Sequence, residues 1–361
     1  AGPVTSLESI EVTARGVAEP LQRMPLPISA ISEQTIEKKG LVDVRDIAAM
    51  SPSFSFKSGY GRGFDRPVIR GMSNIQGEAN ASFFIDGIYV EGDISSYGLE
   101  NIQRVEVVRG PQSAAYGRRT FSGAVDFITR RPGSVPGTKL TLGAGNFGQE
   151  KLGLFHSGGN EDGTFGYDVS LNKRGNDGIF YNQAAGKKNL GGTETISAMA
   201  AVAWSPTEKL DITARVMKQN SRDEHFAISP IGSDNLNCYL PQETGALHFG
   251  LYPVLANRHR GYWCGDVNAP NQYAINTDEF EAAGYFAGRK TDFLRSSLRA
   301  EYFFENGWTL TSTSAFNKSE TYAGTDQDYS GIRGYDGAFE TFTNNAVKNW
   351  SQDLRISSDQ G

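Results

Sequence analysis

"FGYDVSLNKRG", residues 165–175, alternates without a break. Phe165, Tyr167, Val169 and Leu171 fall on one face of an extended chain, and Gly166, Asp168, Ser170 and Asn172 on the other, because successive strand side chains point to opposite sides. The pattern returns in "ISAMAAVAW" (196–204), where Ile196, Ala198, Ala200, Val202 and Trp204 share a face. In "LDITARVMK" (210–218), Leu210, Ile212, Ala214 and Val216 oppose Asp211, Thr213, Arg215 and Met217. In "LRSSLRAEYFF" (294–304), Leu294, Leu298, Ala300, Tyr302 and Phe304 oppose Arg295, Arg299 and Glu301.

A soluble β-sandwich also carries one polar face. Two features point instead to a transmembrane antiparallel β-barrel. Short turns ("GGNEDG", "SPTEK", "ENG") alternate with long loops, at roughly 174–193, 218–291 and 318–346; the middle one is longer than a compact sandwich tolerates. Trp204, Tyr302, Phe304 and Trp308 gather beside the short turns, as in an interfacial girdle. About eight strands follow Gly137. Eight strands enclose space only for side chains, so a larger barrel is expected, completed by further chain or by a second polypeptide.

Upstream of "RRPGSVPG" (130–137) the pattern is mixed. "SEQTIEKKG" reads as a short helix with Ser32 as N-cap and Gly40 just past its end. "VDVRDIAAM" reads as a second, with Leu41, Val44, Ile47 and Ala48 on one face. "RPVIRG" is a strand, and "FFIDGIYV" a hairpin turning at Asp86-Gly87. "LENIQRVEVVRG" reads as a helical turn and a strand, and "GAVDFITRR" as another strand. The expected organisation is an N-terminal segment (1–20), a compact α+β domain (21–135) and the barrel portion (136–361).

The bulk numbers set limits. The 361 residues carry 35 Lys and Arg against 41 Asp and Glu, a net −6, with no general attraction for nucleic acid. The 42 glycines, 15 tyrosines and 21 phenylalanines favour strands and turns. No apolar run approaches the ~18 residues of a membrane helix. The start "AGPVTS" lacks a basic n-region and an apolar h-region, so either the protein is not exported or a signal peptide has been removed. Cys238 and Cys264 read as two free thiols or, once export is established, as a loop disulfide. His248 and His259 lie between them without CxxC or HxxxH spacing, so no metal site is expected. G-x-S-x-G and HExxH are absent and the four histidines are scattered, which gives catalysis no support.

"ESIEVTA", "LVDVRDIAAMSPSF", "RPVIRGM", "FFIDGIYV" and "LENIQRVEVVRGPQSAAYGRRTFSGAVDFITRRP" occur in this order ahead of the alternating strands. The whole chain thereby resembles the TonB-dependent outer-membrane receptors: a plug domain followed by the first part of a 22-stranded barrel. The resemblance implies that the plug blocks the barrel lumen, that ligand binds on plug apices and extracellular loops, and that TonB, driven by its inner-membrane ExbB/ExbD motor, remodels the plug from the periplasm. "ESIEVTA" resembles the TonB box; Ile10, Glu11, Val12, Thr13 and Ala14 would add an edge strand to TonB. In the family, arginines of the "IRG" and "VEVVRGP" motifs, here Arg70 and Arg109, pair with barrel glutamates, on strands expected to lie beyond this chain.

Inside a lumen, Arg109, Arg118, Arg119, Arg130 and Arg131 are expected to face wall carboxylates such as Asp168, Asp211 and Glu301. A plug held by charge pairs and water, with no apolar core against the wall, can be released. Tyr60, Arg62, Arg66 and Gln76 on the apices, and Tyr252 and Trp263 in the longest loop, are the candidate ligand contacts, since aromatic and cationic groups suit an anionic ferric chelate. The expected function is active import of a ferric siderophore, with oligosaccharides or aromatic compounds as the alternative and a passive porin-like channel as a reading of another class. Lipopolysaccharide and the bilayer are expected partners, and a surface lipoprotein would fit the glycan reading.

Overall fold

The computed structural model describes residues 11–12, 19–20, 22, 27–57, 59, 61–62, 65–73, 79–92, 94–117, 120–184, 189–229, 238–239, 261–266, 272–277, 280, 282–329 and 340–358. Besides a two-residue strand pair, Glu11–Val12 with Glu19–Pro20, the described upstream part holds seven short strands: β1 (Ile28–Ser32), β2 (Phe54–Lys57), β3 (Arg66–Ile69), β4 (Ala81–Ile85), β5 (Ile88–Tyr89), β6 (Ile102–Arg109) and β7 (Gly123–Thr129). Its main sheet runs in the order β1-β6-β7-β4-β5, antiparallel except for the β4–β7 pair. The hairpin β2–β3 stands apart from it.

Helix α1 (Glu33–Lys39) is capped as its sequence demands. The Ser32 side chain accepts from the Thr35 amide, and Gly40 closes the helix at φ 64°, where a Cβ is disfavoured. In α2 (Val44–Met50), Asp43 and Asp46 form a capping box. The apolar sides of both helices cover one face of the sheet, so that Ile36, Val44, Ile47 and Ala48 share a core with Ile31, Val105, Val107, Val125 and Phe127. Asp86 (φ 53°) and Gly87 (φ 76°) make the two-residue turn between β4 and β5. Residues 99–101 form a turn ahead of β6 and not the helical one expected there.

Downstream, eight strands form one antiparallel sheet in sequence order: β8 (Gly137–Ala144), β9 (Glu150–Gly159), β10 (Phe165–Asn176), β11 (Thr193–Thr207), β12 (Leu210–Glu224), β13 (Gly288–Phe303), β14 (Trp308–Asp326) and β15 (Glu340–Ser358). This wall is built inside out. Val169, Leu171, Ile196, Leu298, Trp350 and Leu354 are 42–79% exposed, whereas Asp168, Ser170, Gln219, Arg295, Thr313 and Asn317 are at most 5% exposed. The polar face is the covered one because it packs on the upstream domain. Such an arrangement suits lipid outside and a polar lumen inside.

Strands β11 to β15 run for 15 to 19 residues, beyond the ~9–11 needed to cross a bilayer. They therefore overshoot at the long-loop rim, and the loops are shorter than the alternation alone implies, at 177–192, 225–287 and 327–339. The first connection on that rim, 145–149, is short. At the opposite rim, Trp204, Tyr302, Phe304 and Trp308 are 39–50% exposed beside the tight turns.

The long loops fold on one another. Phe180–Asn182 pairs with Asn189–Leu190 and, in parallel, with Gln272–Tyr273. Leu190, Tyr273 and Ile275 form a small core with Phe180, Ile228 and Tyr329. Cys264 is disulfide-bonded, and Cys238 is the chain's other cysteine.

Candidate functional site

The upstream domain meets the wall along a seam of charge. On the domain's upper loop, the guanidinium of Arg62 donates to both carboxylate oxygens of Asp223 at the end of β12, Nε at 3.0 Å, and to the Glu194 carbonyl at 3.3 Å. Arg62 is 7% exposed. Arg174 of β10 pairs with Glu100 at 3.2 Å and donates to the Ser96 carbonyl at 2.6 Å. Arg215 of β12 pairs with Asp86 at 3.2 Å and donates to the Arg130 carbonyl at 2.7 Å. Arg295 of β13, 3% exposed, donates to the Ile85 carbonyl at 2.9 Å. Arg131 reaches Asp211, and Glu37 reaches Lys139. Neutral bonds fill the gaps, from Gln219 to Ser96 at 2.9 Å and from Asn101 to Ser170 at 2.8 Å.

The seam departs from expectation in two ways. Its polarity is mostly reversed, with wall arginines reaching acids and carbonyls of the upstream domain. Of the cations expected to face the wall, Arg131 does so through Asp211, and Arg130 does so by lying over the ring of Phe155 on β9, 5.0 Å from its centre, while also pairing with Glu33 of its own domain; Arg109 instead donates to the carbonyls of Pro27 and Pro52. Arg118 and Arg119 lie outside the described residues. The Arg70 guanidinium lies over Gly110. Thus neither Arg70 nor Arg109 makes a charge contact with the eight strands, and Glu301 pairs with Arg299 of its own strand at 2.8 Å. The seam also has an apolar component. Met199, Met217 and Phe293, on the inward face of the wall, join the domain's hydrophobic core. The expectation of a wall contact without apolar packing is corrected accordingly. Met and Phe side chains at this contact gain by leaving water for an apolar core, which charged side chains do not supply.

Four polar atoms at or near the seam, Thr195 Oγ1, Arg215 Nε, Arg295 Nε and Asn317 Nδ2, are buried without a protein partner. Groups of this kind are what water satisfies. The alternation already put Arg215, Arg295 and Asp211 on the polar face. It carried no information on their partners in the upstream domain, which lie 80 to 210 residues away.

The N-terminal segment is docked. Glu11–Val12 forms a two-residue strand antiparallel to Glu19–Pro20. Val12 is fully buried beside Val108, with Ile28, Ala30 and Tyr116 around it. Ile10, Thr13 and Ala14 lie outside the described residues, as do Tyr60, Gln76 and Tyr252. Arg62 is committed to Asp223 and so is not a free ligand contact in this state. Arg66 sits on β3 and borders a cavity of about 410 Å³ between the domain and β13 to β15, which Tyr89, Glu91 and Arg289 also line. Trp263 stands in the long loop, with Nε1 donating to the Asp266 carbonyl at 3.3 Å.

Residues 20–124 match the family model described as the TonB-dependent Receptor Plug Domain. The vitamin B12 transporter of Vibrio vulnificus is 26% identical over 251 residues, 61% of this chain and 41% of that protein. The ferrioxamine B receptor of Salmonella typhimurium is 32% identical over 146 residues, 39% of this chain and 20% of that protein. Among solved structures, the ferric yersiniabactin uptake receptor of Yersinia pestis superimposes with a TM-score of 0.72 at 15% identity, covering 93% of this chain and 46% of that one. The siderophore receptor of Acinetobacter baumannii gives 0.67 at 16%, covering 94% and 43%. The chain spans less than half the length of these relatives. Their shared fold is a 22-stranded barrel around a plug, and the matched family is one of transporting receptors, not of enzymes. With a matching plug, an inside-out wall and a charged seam between them, the chain carries a TonB-dependent receptor plug and part of a barrel, and is similar to the TonB-dependent receptors of the Gram-negative outer membrane.

Proposed function

We propose that the receptor imports a scarce nutrient across the outer membrane in a TonB-dependent manner, with a ferric siderophore as the cargo class. The observation that carries this reading is the seam. Plug and wall meet largely through ion pairs, carbonyl contacts and buried polar atoms, with Met199, Met217 and Phe293 of the wall packed on the plug core. A contact of that kind holds a lumen closed at rest yet can be remodelled by a mechanical pull, whereas a wholly apolar interface would resist it.

Val12 and its neighbours supply the handle. The segment Ile10–Ala14 would peel from Pro20 and Val108 and add its main chain to the edge of a TonB sheet. Because Val12 is buried in the resting state, TonB gains access only after this strand detaches. Arg70 and Arg109 would meet barrel glutamates on strands beyond the eight described here. Arg66, Trp263 and the undescribed Tyr60, Gln76 and Tyr252 remain the proposed ligand contacts, and Arg62 would join them only after leaving Asp223.

Two experiments test this. Deleting residues 8–14 from the full-length receptor should abolish import while ligand binding persists; import that survives the deletion would mark a passive channel. Uptake of radiolabelled iron should then be measured with catecholate, hydroxamate and phenolate chelates, alongside labelled cobalamin, oligosaccharides and aromatic acids. Saturable uptake of an iron chelate supports the cargo class. Uptake of cobalamin, a glycan or an aromatic compound alone would replace it.

A further inference from the structure

The plug sheet has a second face, turned away from α1 and α2. One row across it reads Ala30 of β1, Glu106 of β6, Asp126 of β7 and Phe84 of β4. Glu106 and Asp126 are direct cross-strand partners, and both are buried. The N-terminal segment closes this face. Val12, itself fully buried, packs with Val108 against Ile28, Ala30 and Tyr116. The Tyr116 ring lies against that of Phe84, 4.7 Å between centres. Both ends of the row are therefore covered, Ala30 from the side of Val12 and Phe84 by Tyr116. Among the described residues, the buried Tyr116 hydroxyl has no hydrogen-bond partner.

Two carboxylates held face to face under apolar cover do not both ionise. Glu106 is the member with a cation, since Arg104 Nε donates to it at 2.8 Å. Asp126 takes a bond from the Gly87 amide at 3.2 Å. The other charges around the pair are engaged elsewhere. Asp86 is tied to Arg215, and Arg295 to the Ile85 carbonyl and Asn317. Arg355 of β15, whose charge reaches Tyr116, lies 3.7 Å from Asp353. Tyr89 of β5 is the second phenol beside Phe84, and Glu11 and Glu19 are the acids of the covering strand pair itself. Asp126 is thus the member that keeps a proton. Burial and the Glu106 charge push its carboxyl up to about 8.

We propose that this acid pair makes docking of the N-terminal strand proton-linked: the strand closes over Asp126 only while that carboxyl is neutral. When Val12 lifts, water reaches the row and Asp126 gives its proton to solvent. Two facing carboxylates then oppose re-docking until one is protonated again. The sign follows from the raised carboxyl: docking is tightest below its ordinary value near 4 and weakens as pH rises towards about 8. The consequence for import rests on reading the segment as the TonB handle, which acid would keep out of reach of TonB.

The test follows amide protection across residues 11–19 of the full-length receptor in vesicles, without TonB or cargo, corrected at each pH for intrinsic exchange. Wild-type protection should fall by up to about tenfold per unit from about pH 5 to about pH 8 and then level off. D126N keeps the acceptor for Gly87 and cannot ionise, so its protection should stay high and flat. E106Q removes the neighbouring charge but not the burial, so its fall should level off at lower pH. A flat wild-type profile overturns the proposal, and so does a D126N receptor that retains the wild-type fall. Neither outcome touches the handle itself, which the deletion of residues 8–14 tests separately. Where both readings hold, a soluble periplasmic TonB domain should bind the wild type more tightly at about pH 8 than at about pH 6, and D126N equally at both.

Discussion

Asp126 and Glu106 face each other across β7 and β6, and both are buried, at 2% and 0% exposure. Glu106 has Arg104 Nε at 2.8 Å. Among the described residues, Asp126 accepts one hydrogen bond, at 3.2 Å from the Gly87 amide. Burial first, and then the neighbouring Glu106 charge, push its carboxyl up to about 8. A raised carboxyl binds its proton more tightly folded than unfolded. Its stabilising effect is therefore whole below the unfolded value near pH 4 and is lost as pH rises towards about 8. Asn keeps the acceptor for Gly87 and cannot ionise. D126N is thus expected to be more stable than the wild type, the margin widening with pH by ~1.4 kcal/mol for each unit crossed. Amide exchange of β6 and β7 in the full-length receptor, followed from acidic to alkaline pH, checks this; a margin independent of pH would mean the carboxyl is not held protonated. The sequence shows Asp126 only as a polar break in "GAVDFITRR", since nothing local reveals that Glu106 lies opposite. Arg62 carries the same lesson. Its charge and apex position were legible, its partner 161 residues away was not. Removing one member of a buried pair costs ~3–5 kcal/mol where the other stays buried. D223N should therefore free the apex loop, seen as faster exchange at residues 61–62, and R62Q/D223N should restore part of the protection.

At the scale of elements, what could be read was what is local. Ser32 and Gly40 bound α1, Asp86-Gly87 turns a hairpin, and period-two alternation assigns faces to the wall strands, because each depends on a few neighbouring residues. Loop structure depends on distant pairings, so the cap formed by the long loops was not legible. His225 is its hub. The Asp326 amide donates to Nε2 at 3.1 Å, so the proton sits on Nδ1, which donates to the Phe226 carbonyl at 2.8 Å. The His225 carbonyl accepts from the Gly191 amide, Asp326 accepts from the Asn276 amide, and the Phe226 side chain packs over Gly61 at the plug apex. Asp326, Asp223, Glu224, Arg62 and Arg289 are the charged groups around it. Burial holds the imidazole below its ordinary 6.5. A lowered histidine contributes stability that is present above that value and lost as pH falls, because a second ring proton would displace the Asp326 amide. Acidification should speed exchange at Asp326 and Gly191 before the strands respond, and H225Q should flatten that pH dependence. Uniform protection down to acidic pH would show that the cap does not depend on neutral His225.

For the whole molecule, the decisive quantity is which face of the wall meets lipid and at what depth. Alternation told the two faces apart but not their direction; in a soluble sheet the same pattern would bury Leu171 and expose Asp168. Burial of Asp168 at 2% with Leu171 at 59% exposure resolves it. Depth follows from register. Leu298 and Leu294 lie on one strand and one face, yet Leu298 opposes Ala214 and Ser314 within the apolar belt, while Leu294 opposes Lys218 and Lys318. A lysine on the lipid face costs ~2–4 kcal/mol near the bilayer midplane and ~0–1 near its edge. L298K should accordingly destabilise the full-length receptor in vesicles by a few kcal/mol more than L294K, measured as the shift in urea midpoint for refolding into lipid. The gap should shrink in detergent, where no midplane exists. Equal costs in vesicles would mean that the row of Lys218, Lys318 and Lys348 does not mark the edge of the hydrocarbon, and the belt would have to be placed at another height.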